Sequence, residues 1–354
     1  MKPRIIIIGA GLTGLLIAYR LKQMGFTIQI LEARDRLGGR ISTLLSKNDT
    51  PVEMGATWYG NQHINLIKLL DELDISYFEQ YMKGTAFFEA FSTAPPQPIQ
   101  IPPDNPSYRI ENGTSNLINT LANKLSQNEI NLAHPVKKLI FENKQVCVKT
   151  NNATFDGDIV ISTVPPALLV SSIQFTPSLP AEIIRIAMNT HTWMQDSIKI
   201  ALIYQTPFWK NKKLSGTIFS NVGPITEFYD QSNSKETHFA LCGFVNSGYA
   251  QLIKAERKEK VMNQLFKIFG EEAMDYLSYE ELVWSGEIYT KDKKQNSVSV
   301  YPHQNNGNPI FNNAFYDNRF FIAGSETSTT YPGYMEGAVV SANRIFEKIG
   351  NLVK

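Results

Sequence analysis

Three glycines near the start of the chain follow the pattern G-x-G-x-x-G, and they lie between two stretches of different character. Residues 4–8 are an arginine and four isoleucines, a run that predicts a strand buried in a parallel sheet. Residues 12–24 have the pattern of a helix, and residues 26–32 that of a second strand. The segment therefore predicts a βαβ unit with the glycines at its first turn.

The glycines have separate tasks in such a unit. Gly9 permits the tight turn, Gly11 lets the backbone approach a pyrophosphate, and Gly14 lets helix and strand pack closely. The N-terminus of the following helix attracts phosphate groups. Glu32 ends the second strand, where a carboxylate can accept hydrogen bonds from ribose hydroxyls. We therefore expect a dinucleotide here rather than a glycine-rich turn without a ligand.

A second glycine loop follows the second strand and contains Arg34, the adjacent Gly38 and Gly39, and Arg40. Two adjacent glycines allow another close approach of the backbone, and an arginine beside them can bind a pyrophosphate bidentately. A nicotinamide-binding domain does not need this second loop. The sequence therefore predicts FAD as the dinucleotide.

Composition excludes several other classes of protein. The chain has 354 residues, of which 43% are hydrophobic and 19% charged, so it can form two domains of an ordinary globular protein. Its net charge of +1 offers no attraction to nucleic acid or to an anionic membrane. No apolar stretch has the length of a membrane span, and we expect the protein in the cytoplasm. Its two cysteines and five histidines show no metal-ligand spacing, so no metal site is predicted.

Beyond the first unit, the chain alternates between helical and strand-like segments. Helical spacing occurs in residues 61–75, 115–127, 253–269 and 334–349. Two short strand-like runs, VKKLIF and QVCVKT, predict a hairpin. The proline-rich residues 91–108 predict an irregular connection.

These motifs resemble those of the flavin-containing amine oxidase family, which includes monoamine and polyamine oxidases, and the soluble bacterial members look closest. The resemblance covers most of the chain and is weakest in residues 81–107 and 211–283. Its C-terminal part is the most specific. The stretches that carry it are IIIIGAGLTGLLIAYRL, ILEARDRLGGRI, VEMGATWYG, YRIENGTSNLINTLANKL, FDGDIVISTVPPALL and FIAGSETSTTYPGYMEGAVVSANRIFEKI.

The resemblance implies an α/β fold with two domains. One is a Rossmann-like FAD-binding domain of the ββα-sandwich type, in residues 1–60, 108–190 and 298–354. The other is an inserted α+β substrate domain in residues 61–107 and 191–297. We expect the substrate domain to be shortened, because only about fifty residues separate GATWYG from the ENG segment.

The resemblance also implies individual site residues. Lys199 stands at the family's spacing before Phe208-Trp209, and it is expected to hold a water against flavin N5 and to assist oxygen reduction. Tyr334 and, as our candidate for the second ring, Tyr301 are expected to form an aromatic pair that guides the amine. By residue type alone, a Lys199 that faces solvent is favoured, and each tyrosine could be a packing residue. Further flavin contacts are implied for Gly55, Ala56, Thr57, Trp58, Val136, Gly324, Ser325, Glu326 and Met335.

The reaction implied is the oxidation of an amine: a hydride passes from its α-carbon to flavin N5, the imine hydrolyses, and O2 reoxidises the flavin to give H2O2. FAD is expected to be noncovalent, because residues 286–303 lack the cysteine that bonds the flavin in monoamine oxidases. Two alternatives remain open. One is a desaturase or an NAD(P)H-oxidising flavoenzyme of the same fold, and the other is a non-catalytic flavoprotein that binds a partner. Oligomeric state is not predicted.

Overall fold

The computed structural model describes residues 2–46, 49–142, 144–291 and 301–352 of the chain. Helix α1 occupies the predicted position after the first glycine turn, and α8 forms the C-terminal end of the described chain. The helices are α1 (Leu12–Gln23), α2 (Ile64–Glu72), α3 (Ser115–Asn123), α4 (Pro166–Ser172), α5 (Ala181–Met188), α6 (Phe208–Asn211), α7 (Lys254–Phe269) and α8 (Met335–Leu352). None of the helices in these described ranges is both long and apolar enough to cross a membrane.

A six-stranded sheet contains the predicted βαβ unit. Its first strand pairs in parallel with strands on both sides, and its four isoleucines are buried because both faces of the sheet are covered. Only the last strand in the order runs antiparallel to its neighbour. The order is β10 (Ile130–Asn131), β2 (Thr27–Leu31), β1 (Arg4–Ile8), β14 (Ile159–Ser162), β22 (Phe320–Ile322) and β21 (Ala314–Phe315).

The isoleucines of β1 alternate between two hydrophobic cores, as strand geometry requires. Ile5 and Ile7 pack with side chains of α1, α2, α3 and α8 on one face. Ile6 and Ile8 pack on the other face with a four-stranded sheet and with α4 and α5. The six-stranded sheet thus lies between the four-stranded sheet and a layer of helices. These three layers confirm the predicted α/β fold with a Rossmann-like dinucleotide-binding part.

The four-stranded sheet has the order β13 (Thr154–Gly157), β12 (Gln145–Thr150), β11 (Val136–Glu142) and β15 (Gln174–Thr176). β11 and β12 pair antiparallel through a short turn, which confirms the predicted hairpin. This sheet places the start of β11 at the end of β2, and so beside the predicted dinucleotide site.

A seven-stranded sheet forms the second part of the molecule. β16 lies inside it and is buried along its whole length, because α7 covers one face and the first part of the molecule meets the other. The order is β20 (Tyr276–Val283), β16 (Ile198–Tyr204), β19 (Phe239–Val245), β18 (Ile225–Asp230), β17 (Leu214–Ser220), β7 (Thr85–Glu89) and β8 (Gln97–Gln100). The boundaries proposed for the two domains stay a prediction.

The proline-rich residues 91–108 are more regular than predicted. β8 is formed despite Pro98, because it is the edge strand of its sheet and a proline there need not donate a hydrogen bond to a further strand. The same range ends inside β9, which pairs with two other short strands. The remaining strands are β3 (Thr43–Leu45) with β4 (Pro51–Glu53), and β5 (Tyr59–Gly60) and β6 (Tyr77–Glu79) on either side of β9 (Ser107–Ile110).

Candidate active site

A cavity of about 960 Å³ runs from the glycine turn after β1 to the seven-stranded sheet. One end is lined by both glycine loops and by the chain before β11, and the other by residues of β16, β18 and β19. Its volume suits a dinucleotide together with a small molecule. Most predicted site residues lie in its wall: Gly9, Gly11, Glu32, Arg34, Gly39, Arg40, Gly55, Ala56, Thr57, Trp58, Val136, Lys199, Gly324, Ser325, Tyr334 and Met335.

The first glycine loop has the geometry that its sequence predicts. Gly9 has a φ of +105°, which side-chain-bearing residues rarely adopt. A Cβ on Gly14 would lie 2.0 Å from the carbonyl oxygen of Gly9, so only glycine fits there. Gly14 lies behind the cavity wall and supports it by close packing. α1 begins without a side-chain cap on its first N–H groups, which are therefore free to bind an anion.

The second glycine loop packs directly on the first. Gly38 donates its N–H to the carbonyl of Ala10 at 2.9 Å, and a Cβ on Gly11 would meet the Cα of Gly39 at 3.9 Å. Glu32 lies beside both loops, where its carboxylate accepts from the backbone N–H of Ala10 at 2.7 Å. The two loops and Glu32 thus form one cradle of backbone amides and a carboxylate, which fits the adenosine diphosphate part of a dinucleotide.

Arg34 lines the cavity and takes part in an ion pair. Its guanidinium donates to Glu287 Oε2 at 3.1 Å and to Thr290 Oγ1 at 2.8 Å, and its contact with the cofactor stays a prediction. These two partners belong to the segment after β20, far from Arg34 in sequence. The ion pair therefore fastens this segment across the glycine-loop end of the cavity.

Arg40 and Glu326 bind each other. The guanidinium of Arg40 donates to both carboxylate oxygens, at 2.6 and 2.8 Å, and Ser325 Oγ is 2.9 Å from it. Glu326 is 1% exposed and does not line the cavity, and its contact with the cofactor stays a prediction. Burial by itself raises the pKa of Glu326, but the charge and hydrogen bonds of Arg40 outweigh burial and hold that pKa below its ordinary value.

Lys199 is buried in the wall of the cavity. It lies on β16, and its ammonium donates to the carbonyl of Gly55 at 2.6 Å and to Thr57 Oγ1 at 2.5 Å. Nζ also lies 4.7 Å from the ring centre of Trp58 and 5.3 Å from that of Phe244. Burial lowers the pKa of Lys199. The alternative of a lysine facing solvent is therefore wrong, because the residue is 1% exposed.

The sequence did not indicate that the buried carboxylate of Glu53 lies near Lys199. Glu53 is 2% exposed and accepts from the backbone N–H of Thr114 at 2.6 Å and from Thr43 Oγ1. Burial raises its pKa, and the positive charge of Lys199 opposes that rise. Cys242 lies beside the same strand, and burial raises the pKa of its thiol to about 11. No motif in the sequence indicates that these groups surround the lysine.

The aromatic side chains near the start of α8 differ from the predicted pair. Tyr334 lines the cavity, whereas Tyr301 is 69% exposed and does not. The ring next to Tyr334 is Trp193, with centroids 5.9 Å apart, and His303 stacks on Trp193 at 4.1 Å. Much of the segment from which we expected the second ring, residues 292–300, lies outside the described residues. Trp193 stands in no recognisable motif, so sequence reasoning missed it.

Comparison with known proteins identifies the family. The sequence model described as "Flavin containing amine oxidoreductase" matches residues 12–105 and 101–345. This protein is a member of that family. A relative in Dictyostelium discoideum, a probable flavin-containing monoamine oxidase A, is 24% identical over 98% of this chain and 97% of its own length. Human flavin-containing amine oxidase B is also 24% identical, over 98% of this chain and 86% of its own length.

Solved structures agree with the fold of this family member. A cyclohexylamine oxidase from Brevibacterium oxydans superposes with a TM-score of 0.86 over the full length of both chains, at 17% identity. A putrescine oxidase bound to putrescine superposes with a TM-score of 0.85 over 99% of each chain, at 20% identity. Because the chain belongs to the family of flavin-containing amine oxidoreductases, it is a flavin-dependent oxidoreductase.

Proposed function

We propose that the protein is an FAD-dependent amine oxidase that uses O2 as its electron acceptor. Bound FAD would supply the redox chemistry, accepting a hydride equivalent from the α-carbon of the amine and passing the electrons to O2 to give H2O2. The observation that carries the proposal is the buried ammonium of Lys199 in the cavity that both glycine loops line. A positive charge there would stabilise the anion formed when oxygen is reduced.

The other residues of the cavity would bind and orient the reactants. Tyr334 and Trp193 present apolar rings that exclude water from an amine between them and the cofactor. α8 begins at Met335, and its first N–H groups would favour negative charge on the pyrimidine edge of a reduced flavin. The amine must arrive neutral at the reacting carbon, and its imine product would hydrolyse in water.

FAD should be bound without a covalent link. The chain has two cysteines, Cys147 and Cys242, and neither lines the cavity. Denaturing the purified yellow protein should therefore release all of its flavin as FAD, to be identified by mass. Flavin that stays with the precipitated chain would contradict this.

Anaerobic mixing with amines tests the proposed reaction. Primary amines, secondary amines and polyamines should be compared, and at least one of them should bleach the absorbance of the oxidised flavin. When O2 is admitted, this absorbance should return and one equivalent of H2O2 should form. Bleaching by NADH or NADPH but by no amine would favour the nicotinamide-oxidising alternative. If no donor bleaches the flavin, the alternative of a non-catalytic flavoprotein would be favoured.

The ion pair between Arg34 and Glu287 predicts how firmly FAD is held. Glu287→Gln should free the segment over the glycine-loop end of the cavity and speed FAD dissociation about fivefold, because partly exposed ion pairs contribute up to about 1 kcal/mol. FAD loss can be followed by the rise of free flavin fluorescence after dilution. Glu272→Gln is the matched control, since it breaks an ion pair with Lys212 away from the cavity. Equal rates in both variants would show that the Arg34 pair does not retain the cofactor.

A further inference from the structure

A short turn directly before β16 lines the cavity with each of its four residues, 193–196. Contacts with other segments hold both of its ends in place. The carbonyl of Trp193 accepts from Arg40 Nη1 at 3.2 Å. The carbonyl of Ser197, the first residue after the turn, accepts from the backbone N–H of Trp284 at 2.9 Å. The turn therefore presents its side chains to a ligand from a fixed backbone.

Gln195 is the buried residue of this turn, and one atom of its amide lacks a partner. Its side chain is 3% exposed, and Oε1 accepts no hydrogen bond from any residue that the structure describes. A buried acceptor without a donor destabilises a fold, so such atoms are rare in proteins. The other described side chains with a buried unpartnered atom all lie outside the cavity wall. Because Gln195 lines the cavity, a ligand there can supply the missing donor.

Other polar side chains at this end of the cavity have partners within the protein. Asp196 forms an ion pair with Lys291, and the hydroxyl of Ser197 donates to a backbone carbonyl of the turn at 2.8 Å. Glu227, which shares a face of the seven-stranded sheet with Lys199, accepts from a tyrosine hydroxyl at 2.9 Å. The unpartnered carbonyl of the glutamine is therefore distinct among them.

The chain places Gln195 at the end of the cavity where the proposed reaction takes place. Two residues before it, Trp193 packs its ring beside that of Tyr334, with centroids 5.9 Å apart. Four residues after it, Lys199 contributes its ammonium to the cavity wall. Because consecutive Cα atoms are about 3.8 Å apart, the Cα of Gln195 is no more than about 8 Å from that of Trp193 and about 15 Å from that of Lys199. The amine is therefore the nearest source of the missing donor.

We propose that Gln195 accepts a hydrogen bond from the N–H of a neutral amine, so that the enzyme prefers primary and secondary amines, which carry an N–H, to tertiary amines, which do not. The inference rests on the proposed amine oxidation. An uncharged carbonyl binds the N–H and leaves the lone pair of the nitrogen free. As the α-carbon gives up its hydride, the nitrogen becomes positively charged and its N–H becomes a stronger donor. The hydrogen bond to Gln195 therefore strengthens during the reaction.

Matched amines test this assignment in the holoenzyme. Benzylamine, N-methylbenzylamine and N,N-dimethylbenzylamine share a benzyl group and carry two, one and no N–H bonds. Anaerobic flavin reduction at increasing amine concentration gives a limiting rate and a Kd, expressed for the neutral amine. Gln195→Met replaces the amide with an apolar chain of similar length. It should raise the Kd of the first two amines about fivefold and lower their limiting rates about tenfold, without changing either value for the tertiary amine.

A second buried glutamine provides the matched control. The Oε1 of Gln231 also lacks a partner and its side chain is 5% exposed, but it lies outside the cavity wall. Gln231→Met should change no Kd and no limiting rate. FAD release, followed by flavin fluorescence, should be equally slow in Gln195→Met and the wild type. Benzylamine values that Gln195→Met leaves unchanged, equal losses for all three amines, or faster FAD release would overturn the proposal.

Failure of the proposed function gives a different result, because binding can be measured without oxidation. α,α-Dimethylbenzylamine has N–H bonds but no hydrogen on its α-carbon. It should stabilise the wild-type holoenzyme against heat, and Gln195→Met should weaken this stabilisation. The same result in a protein whose flavin no amine bleaches would contradict amine oxidation and still support the site at Gln195. Equal stabilisation of both proteins, or of neither, would overturn the site.

Discussion

Lys199→Met is expected to keep FAD bound and reducible by amines but to slow reoxidation by O2 about a hundredfold. The ammonium is the positive charge that the cavity wall places beside Trp58 and Phe244, and removing one preorganised electrostatic group of this kind costs about two orders of magnitude. The measurement mixes the reduced enzyme with O2 and follows the return of flavin absorbance.

The pH dependence of reoxidation gives a second readout of Lys199. Burial lowers the pKa of Lys199 below that of an ordinary lysine, which is about 10.4. The charged form is therefore present at low pH and is lost as the pH rises through this lowered pKa. The wild-type rate should therefore fall over that range, whereas the methionine variant should be slow at every pH. The nearby thiol of Cys242, with a pKa of about 11, stays protonated there.

A matched lysine elsewhere controls for the loss of a buried side chain. Lys210→Met removes a largely buried ammonium that packs on Tyr81 and pairs with Glu236, outside the cavity wall. It should leave reoxidation unchanged. Equal reoxidation rates in Lys199→Met and wild type, at similar flavin content, would remove Lys199 from its proposed role.

Arg40→Met is expected to lower the free energy of unfolding by about 3–5 kcal/mol near neutral pH and to reduce the flavin content. The substitution leaves the carboxylate of Glu326, 1% exposed, without its cationic partner, and breaking one side of a buried ion pair has this cost. Urea unfolding at several pH values gives the measurement.

The pH dependence follows from the pKa of Glu326. In the wild type this pKa is below its ordinary value, so the pair stabilises the fold above the ordinary carboxyl pKa, and that stability is lost as pH falls through the lowered value. In Arg40→Met, burial is opposed only by hydrogen bonds from Ser325 and the backbone, so the pKa of Glu326 should rise. The destabilisation should therefore shrink as pH falls and Glu326 becomes neutral.

Two more variants test the cause of that loss. Arg36→Met alters the same loop but removes hydrogen bonds to backbone carbonyls only, so it should destabilise the protein less. Adding Glu326→Gln to Arg40→Met removes the unpaired charge and should recover part of the stability. Losses that simply add in the double variant would show that the two residues do not stabilise each other.

Local chemistry explains which parts of the site could be predicted. The βαβ unit is contiguous in sequence, and its strands and helix have different hydrophobic periodicities. Its glycines are required by contacts with residues close by in sequence, such as that of Gly14 with the carbonyl of Gly9. The site role of Lys199 could be predicted because the sequence of its strand resembles that of the family. Residue type alone would have favoured an exposed lysine, and only its burial decides otherwise.

The partners of the charged residues could not be predicted in the same way. Arg34 and Arg40 were expected to contact the cofactor, and each of them also binds a carboxylate more than 250 positions away in the chain. A guanidinium binds a carboxylate as well as a phosphate, so its chemistry alone does not choose between them. The choice depends on where the segments after β20 and β22 return to the glycine loops.

The sequence by itself determined the family, the dinucleotide cradle and the strand that bears Lys199, because contiguous residues with a recognisable spacing specify each of them. Only the tertiary structure decided that Trp193 rather than Tyr301 lies beside Tyr334, and that Glu227 shares a face with Lys199. Trp193 and Tyr301 lie in loops, whose course depends on the packing of the whole chain. For Glu227 and Lys199 the physical reason is strand register: a shift of one residue turns every side chain of a strand to the other face, and the register depends on packing across the whole sheet.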